Sequence, residues 1–207
     1  MCSSDLKKAF LPEMASGAKR GGLALTEPDC GTDLQAIRTR AQRHGNGYVL
    51  NGTKTWISNG LHGSVFAVLV KTDPNADPVH RGMSLFLLEK GGGFASGRKF
   101  EKLGYKGIDS AELILSDHKV DADRLIGGIE GKGLPHTLAA LELGRINVAA
   151  RGVGVAQAAL DEALRYSQVR KTFGKAICEH QAIQLKLADM ATRTERSEEH
   201  TSELQSR

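Results

Sequence analysis

The chain has 207 residues, 40% hydrophobic and 25% charged, enough for one large or two small globular domains. Its net charge of +4 comes from scattered lysines and arginines, which excludes a dedicated nucleic-acid binder yet suits an anionic, phosphate-bearing ligand. No apolar run reaches membrane-spanning length, no signal-peptide pattern opens the chain, and Cys2, Cys30 and Cys178 form neither a disulfide framework nor a metal cluster.

Both ends read as foreign. Residues 2–6 match the translation of the reverse complement of a common sequencing adapter, and residues 196–206 match the translation of the adapter itself. Residues 1–6 and 196–207 are therefore set apart as adapter-like, leaving an internal piece of a longer gene product. The alternative for the tail after Glu195 is a solvated polar helix.

From about residue 23 to 120, short apolar runs are broken by Gly, Asn, Asp and Pro. Tyr48-Val49-Leu50, Asn51-Gly52 and residues 53–58 form the strongest hairpin signal, because Asn-Gly supplies positive-φ turn residues. Residues 65–70 read as a buried strand, as do residues 83–88, and another begins at Glu112-Leu113-Ile114-Leu115. Strands at this spacing without intervening helices predict an antiparallel barrel or sandwich. After Gly133 the period changes. Leu138, Leu141, Arg145, Val148, Ala149, Val153, Ala156, Leu160 and Leu164 mark one face of a helix running to about Arg170. Gly152 and Gly154 each cost about 1 kcal/mol inside it, which close helix–helix approach would rationalise. A second helix from near Glu179 carries Ile183, Leu187 and Met190. The class is α+β: a β domain over residues 7–127 with a preceding helical remnant, then over residues 128–195 a helical hairpin from an incomplete four-helix bundle.

Several residues are candidates for chemistry. Thr26, Gly31 and Thr32 offer hydroxyls and open backbone that can cradle a pyrophosphate, or they form two ordinary turns. Trp56 is core or stacks beside a planar cofactor, and strand alternation puts it on one face with Ser58. Arg170 with Phe173 is a capped basic helix end or a phosphate clamp, and Gln181 opens the next helix beside His180. His44, His62 and His118 lack zinc-ligand spacing and read as solvated loop residues. Glu27 and Asp33 could be an acid pair, but nothing places them against a reacting bond.

The motifs as a series resemble the acyl-CoA dehydrogenase family. They are Leu-Thr-Glu-Pro-x-x-Gly-Thr-Asp (25–33), Leu-Asn-Gly-Thr-Lys-Thr-Trp-Ile-Ser-Asn-Gly (50–60), Lys102-Leu103-Gly104 and Glu142-Leu143-Gly144-Arg145. Arg170-Lys171-Thr172-Phe173-Gly174-Lys175, His180-Gln181-Ala182-Ile183 and Leu187-Ala188-Asp189-Met190-Ala191 follow in the family's order. The resemblance implies FAD as cofactor, held by Leu23, Leu25, Thr26, Gly31, Thr32, Trp56, Ile57 and Ser58, with the Ser58 hydroxyl near N5. It implies that Thr32 also lies near the acyl-CoA and that Glu142 and Arg145 contact its CoA part. Arg170, Thr172, Phe173 and Gln181 match positions that reach the FAD of a neighbouring subunit, so a homodimer or homotetramer is implied.

The reaction so implied is α,β-dehydrogenation of an acyl-CoA thioester, with electrons passed to an electron-transfer flavoprotein, in a bacterial cytoplasm or mitochondrial matrix. A carboxylate base is required, and the family's usual glutamate is expected beyond the C-terminal end of this chain. The minority position for that base corresponds to Gly144, so the chain alone is expected to be inactive. Cys30 departs from the small residue usual at its position. Acyl-CoA oxidase, flavin monooxygenase and a non-catalytic flavin- or CoA-binding module are the alternatives on the same fold.

Overall fold

The computed structural model describes residues 3–205, with side chains for residues 5–199. The adapter-like positions 1, 2, 206 and 207 lie outside the described residues. Two compact units emerge, one up to Leu138 and one from Ala139.

The first unit is a curled seven-stranded sheet preceded by helix α1 (Ser3–Ala15). Its strands are β1 (Gly21–Ala24), β2 (Arg40–His44), β3 (Gly47–Ser58), β4 (Val65–Lys71), β5 (Met83–Glu89), β6 (Phe94–Lys99) and β7 (Ser110–Asp121). The ladder runs β1-β4-β2-β3-β7-β6, with β5 on the other edge of β4. Most pairings are antiparallel, as expected. The exceptions are β1 on β4 and the Arg40–Lys71 bridge between β2 and β4, both parallel, which strand spacing does not announce. β4 is buried on both faces and flanked on both edges, which is why its sequence is a near-continuous apolar run.

The sheet curls around Leu50, Phe66, Val68, Phe86, Phe94 and Leu113. A second cluster under β1 gathers Ile37, Leu69, Met83 and Leu85. On α1, Leu6 and Phe10 lie one turn apart and pack with Val65, so Leu6, at the edge of the adapter-like end, is a core residue.

The hairpin turn differs from the expected one. Asn51-Gly52 lies inside β3, and the chain reverses at Gly45-Asn46 between β2 and β3, with Gly45 at φ +57°. Asn51 instead serves a bulge across β7. Its amide donates to Asp117 Oδ1 at 3.0 Å, and its carbonyl oxygen accepts from Asp117 N at 2.9 Å. Gly52 has φ +149°, and a Cβ there would lie 2.4 Å from Thr39 Oγ1. The dipeptide answers a bulge and a close approach rather than a turn.

The second unit contains most of α2 (Gly133–Val169), a short hairpin of β8 (Lys171–Thr172) and β9 (Lys175–Ala176), and α3 (Gln181–Gln205). Both helices fall where the periodicity predicts, and α3 continues through the adapter-like stretch. On α2 the less exposed stripe includes Leu141, Ala149, Val153, Ala156 and Leu160; on α3 it is Ile183, Leu187, Met190 and Thr194. Leu138, Arg145, Val148 and Leu164, expected on the buried face, are exposed. A Cβ on Gly152 or Gly154 would meet nothing within 4 Å, so the close approach expected there is not made within the described chain. Among the described residues, no helix is long and apolar enough to cross a membrane.

The segment leading into α2 is clamped to the sheet. Tyr48 donates to Glu130 Oε1 at 2.5 Å, and Arg43 Nη2 lies 2.7 Å from the same oxygen. Burial, followed by the bond to Glu130, pushes the Tyr48 hydroxyl up to about 12. A phenol that ionises later in the folded chain stabilises it fully below its ordinary value of 10, and that stabilisation is lost as pH rises from about 10 to about 12. Melting temperature should therefore fall over that window, and Tyr48→Phe should flatten the fall while lowering stability by about 1 kcal/mol at neutral pH. Thermal melts of both proteins across pH 8–12 check it; parallel curves would refute it.

Candidate functional site

The two motifs that dominate the sequence are joined by a buried ion pair. Lys54 is fully buried, and its ammonium lies 2.8 Å from Glu27 Oε1 while donating to the Leu25 carbonyl at 2.9 Å. The Glu27 carboxylate also accepts from Arg38 N at 2.6 Å and Thr39 N at 3.0 Å. Thr55 N donates to Thr26 O at 2.9 Å, so the backbones touch beside the ion pair. Burial alone would raise the Glu27 carboxyl, but the Lys54 charge and the hydrogen bonds outweigh it and hold it below its ordinary value. Burial pulls the Lys54 ammonium down, with Glu27 opposing. Glu27 is thus a structural anion, not half of an acid pair, and Asp33 separately accepts from Gln35 N at 3.2 Å to cap a short 3₁₀ turn.

With that lock in place, the loop over residues 26–32 and the end of β3 lie side by side. Glu27 and Cys30 exchange backbone hydrogen bonds across the loop. Thr26 is half-buried, Gly31 and Thr32 are exposed, and a Cβ on Gly31 would lie 3.9 Å from Thr26 Cγ2, so the backbone there is open. On β3, Trp56 is 54% exposed and Ser58 is exposed, while Ile57 between them is in the core. Trp56 and Ser58 share the outward side, as alternation predicts, yet Trp56 stands in a bulge with φ +58°. Leu23 and Leu25 pack against the second cluster, and Ile57 lies in the first, so these three can offer a ligand mainly their backbone groups.

The other sequence-derived site residues lie in the helical unit. Phe173 and Gly174 have φ +51° and +81° and form the tight turn between β8 and β9. That turn leaves the Phe173 ring 94% exposed. Thr172 Oγ1 lies 3.2 Å from His180 Nε2, and the His180 ring meets Phe173 edge-on at 6.1 Å. Ile177 N donates to the Arg170 carbonyl at 2.9 Å, drawing Arg170 to the same end as exposed Gln181. Thr172 and Phe173 thus meet at His180, with Arg170 and Gln181 on the flanking backbone. Glu142 and Arg145 are exposed three residues apart on α2.

His44 and His62 are exposed, as expected, but His118 is not a solvated loop residue. It is buried in β7, and its Nδ1 lies 3.0 Å from the Gly92 carbonyl. Three partnerships escape sequence reading: Lys54–Glu27, Tyr48–Glu130, and a stack of Trp56 on Phe100. The position of Lys54 two residues before the tryptophan, in a strand that alternates between buried and more exposed residues, is the signal that could have exposed the first.

Residues 22–118 match the model of the acyl-CoA dehydrogenase middle domain, and residues 131–205 match that of the acyl-CoA dehydrogenase C-terminal domain. The chain belongs to the acyl-CoA dehydrogenase family. The C-terminal family match extends into the adapter-like stretch. The chain is 42% identical over 188 residues to the mitochondrial isovaleryl-CoA dehydrogenase of Pongo abelii, covering 90% of this chain and 44% of that protein. Butyryl-CoA dehydrogenase from Megasphaera elsdenii superposes with a TM-score of 0.90 at 38% identity, over 97% of this chain and 52% of that one. A structure described as the electron transferring flavoprotein of Acidaminococcus fermentans gives a TM-score of 0.91 at 37% identity, over 98% of this chain and 55% of that one. The chain thus spans about half the length of the relatives it matches. The α+β class, with a curled sheet followed by helices, is the one these family structures share.

Removing one partner of the buried pair strands the other charge. Lys54→Met should cost about 3–5 kcal/mol in urea denaturation at neutral pH. The double variant Lys54→Met/Glu27→Gln should recover part of that loss. Equal stabilities of wild type and Lys54→Met would show that the pair holds nothing.

Proposed function

We propose that this chain is the flavin-cradling and helical part of an FAD-dependent acyl-CoA dehydrogenase. The observation that supports the reading is the Lys54–Glu27 lock, which ties the loop of half-buried Thr26 and exposed Gly31 and Thr32 to the strand that carries exposed Trp56 and Ser58. The chemistry of these residues suits FAD: open backbone and hydroxyls for a pyrophosphate, an exposed indole for a ring system, and a hydroxyl beyond it. When bound, FAD supplies the acceptor for the hydride that leaves the acyl β-carbon.

The remaining roles belong to the chain. Ser58 donates a hydrogen bond at the edge of the ring system, favouring the form that carries more negative charge. Thr26, Gly31 and Thr32 bind phosphate oxygens, and Thr32 also borders the acyl-CoA. Glu142 and Arg145 on α2 orient the CoA part, with Arg145 supplying positive charge to phosphate. Arg170, Thr172, Phe173 and Gln181 reach the cofactor of a second subunit, which makes the working assembly a homodimer or homotetramer. The α-proton is taken by a carboxylate in this reading, and Gly144 on α2 does not supply one. An electron-transfer flavoprotein is the acceptor in this reading, and a solved structure that this chain resembles is described by the name of such a flavoprotein.

The test uses the protein encoded by the full reading frame. Anaerobic addition of acyl-CoA esters of graded length should bleach the yellow flavin band with at least one of them. Absence of bleaching with every ester overturns the dehydrogenase reading and leaves a non-catalytic flavin- or CoA-binding module. Ser58→Ala should slow bleaching by about tenfold, the equivalent of one lost hydrogen bond to a charged group. An unchanged rate would remove Ser58 from the site.

A further inference from the structure

Two bulges face one short piece of β7. Along β3, three steps from Lys54 to Ile57 oppose two on β7, from Leu113 to Ala111. Along β6, three steps from Ser96 to Lys99 oppose the same two. Each flanking strand therefore carries one extra residue opposite Glu112. Gly97 permits this crowding, since a Cβ there would lie 3.0 Å from Glu112 Cβ and 3.0 Å from Ile114 Cδ1.

The paired bulges bring together side chains from strands that do not touch. β3 and β6 lie on opposite edges of β7, so their backbones are about 9.6 Å apart in a regular sheet. Yet the Trp56 and Phe100 rings stack with centroids 4.0 Å apart and planes 17° from parallel. Phe100, just past β6, donates its N–H to Ser110 O at 2.9 Å, and the strand between the two ring-bearing chains carries small Ala111 and Ser110. The Arg98 guanidinium carbon lies 5.2 Å from the Phe100 ring centroid. Phe100 is 9% exposed and Trp56 is 54% exposed, so the supporting ring is inside and the supported ring is outside.

Left-handed backbone is costly for a bulky residue and persists only where the surroundings fix it. At Trp56, whose φ is +58°, the ring stack with Phe100 is the side-chain contact described. We propose that Phe100 is a positioning residue of the flavin site: it holds the Trp56 indole in its left-handed bulge, so that the uncovered part of the indole is presented to the planar ring system of FAD. The inference rests on the flavin reading of this patch. It adds a residue that no motif marks.

The experiment uses the fact that Trp56 is the chain's single tryptophan. FAD is titrated into the apoprotein encoded by the full reading frame, with any tryptophan outside these 207 residues replaced by phenylalanine, while Trp56 emission is recorded and far-ultraviolet circular dichroism checks folding. In the wild type, FAD quenches the emission to saturation. Phe100→Met and Phe100→Leu, which keep apolar volume without a ring, should shift Trp56 emission to the red before any FAD is added and raise the Kd for FAD roughly tenfold. Phe100→Tyr, which keeps the ring, should restore both.

Wild-type Kd and emission in either folded ringless variant overturn the positioning role and leave the flavin reading standing. Loss of fold in both ringless variants also overturns it, since the ring is then merely structural. No quenching in the wild type overturns the flavin reading of this chain and the inference with it.

Discussion

The first unit depends on one ammonium group taken out of water. Lys54 lies on a strand whose neighbours face the core, and it is fully buried. A charge in that position is tolerated only with a counter-charge and acceptors for its remaining N–H groups. Glu27 supplies the first and is itself held by the backbone N–H groups of Arg38 and Thr39. A single carboxylate thereby ties together three segments that sequence reading treats apart: the loop after β1, the turn before β2 and the middle of β3. An apolar pair of similar volume could fill the space, but it would not fix the rotation of the loop about β3. Four hydrogen bonds to two charged groups do fix it.

How much of this was legible in the sequence depended on the range of the interaction. The helices of the second unit follow from a 3.6-residue period, which is local, and they fall where it predicts. β4 and β5 were visible as apolar runs bounded by turn residues. Asn51-Gly52 misled because the same dipeptide serves a turn or a bulge, and only the partner strand decides; here Asp117 decided it. His118 reads locally as a loop residue because its hydrogen-bond partner, the Gly92 carbonyl, lies 26 positions away in a turn. The site residues were recognisable as a series of motifs, whereas the groups that hold them, Lys54, Phe100 and Glu130, carry no local signature. Their partners are 27, 44 and 82 positions away.

The helical unit contains a different kind of site. Its candidate residues are presented rather than enclosed: Phe173 projects from a turn whose two central residues are both left-handed, and Arg170 and Gln181 are exposed beside it. Apolar residues such as Leu143 (69% exposed), Val148 (57%) and Val155 (66%) lie along α2 outside its half-buried stripe. A helix apolar beyond one stripe has more than one neighbour to cover it. That fits a chain that spans about half the length of its relatives.

The parallel pairing of β1 with β4 bears on the order in which the fold assembles. β2 and β3 meet through a two-residue turn and can zip as soon as both are synthesised. β1 must instead wait for residues 65–68, with the whole β2–β3 hairpin lying between. Closing so long a loop is slow, and it is rewarded only once a hydrophobic seat exists. The segment that leads into the candidate phosphate cradle therefore docks after the β2–β3 hairpin, as a non-local pairing of the kind that also joins β3 to β7. A nascent chain would expose that apolar seat until β1 closes over it, and a ligand binding there would trap a non-local step rather than start the local one.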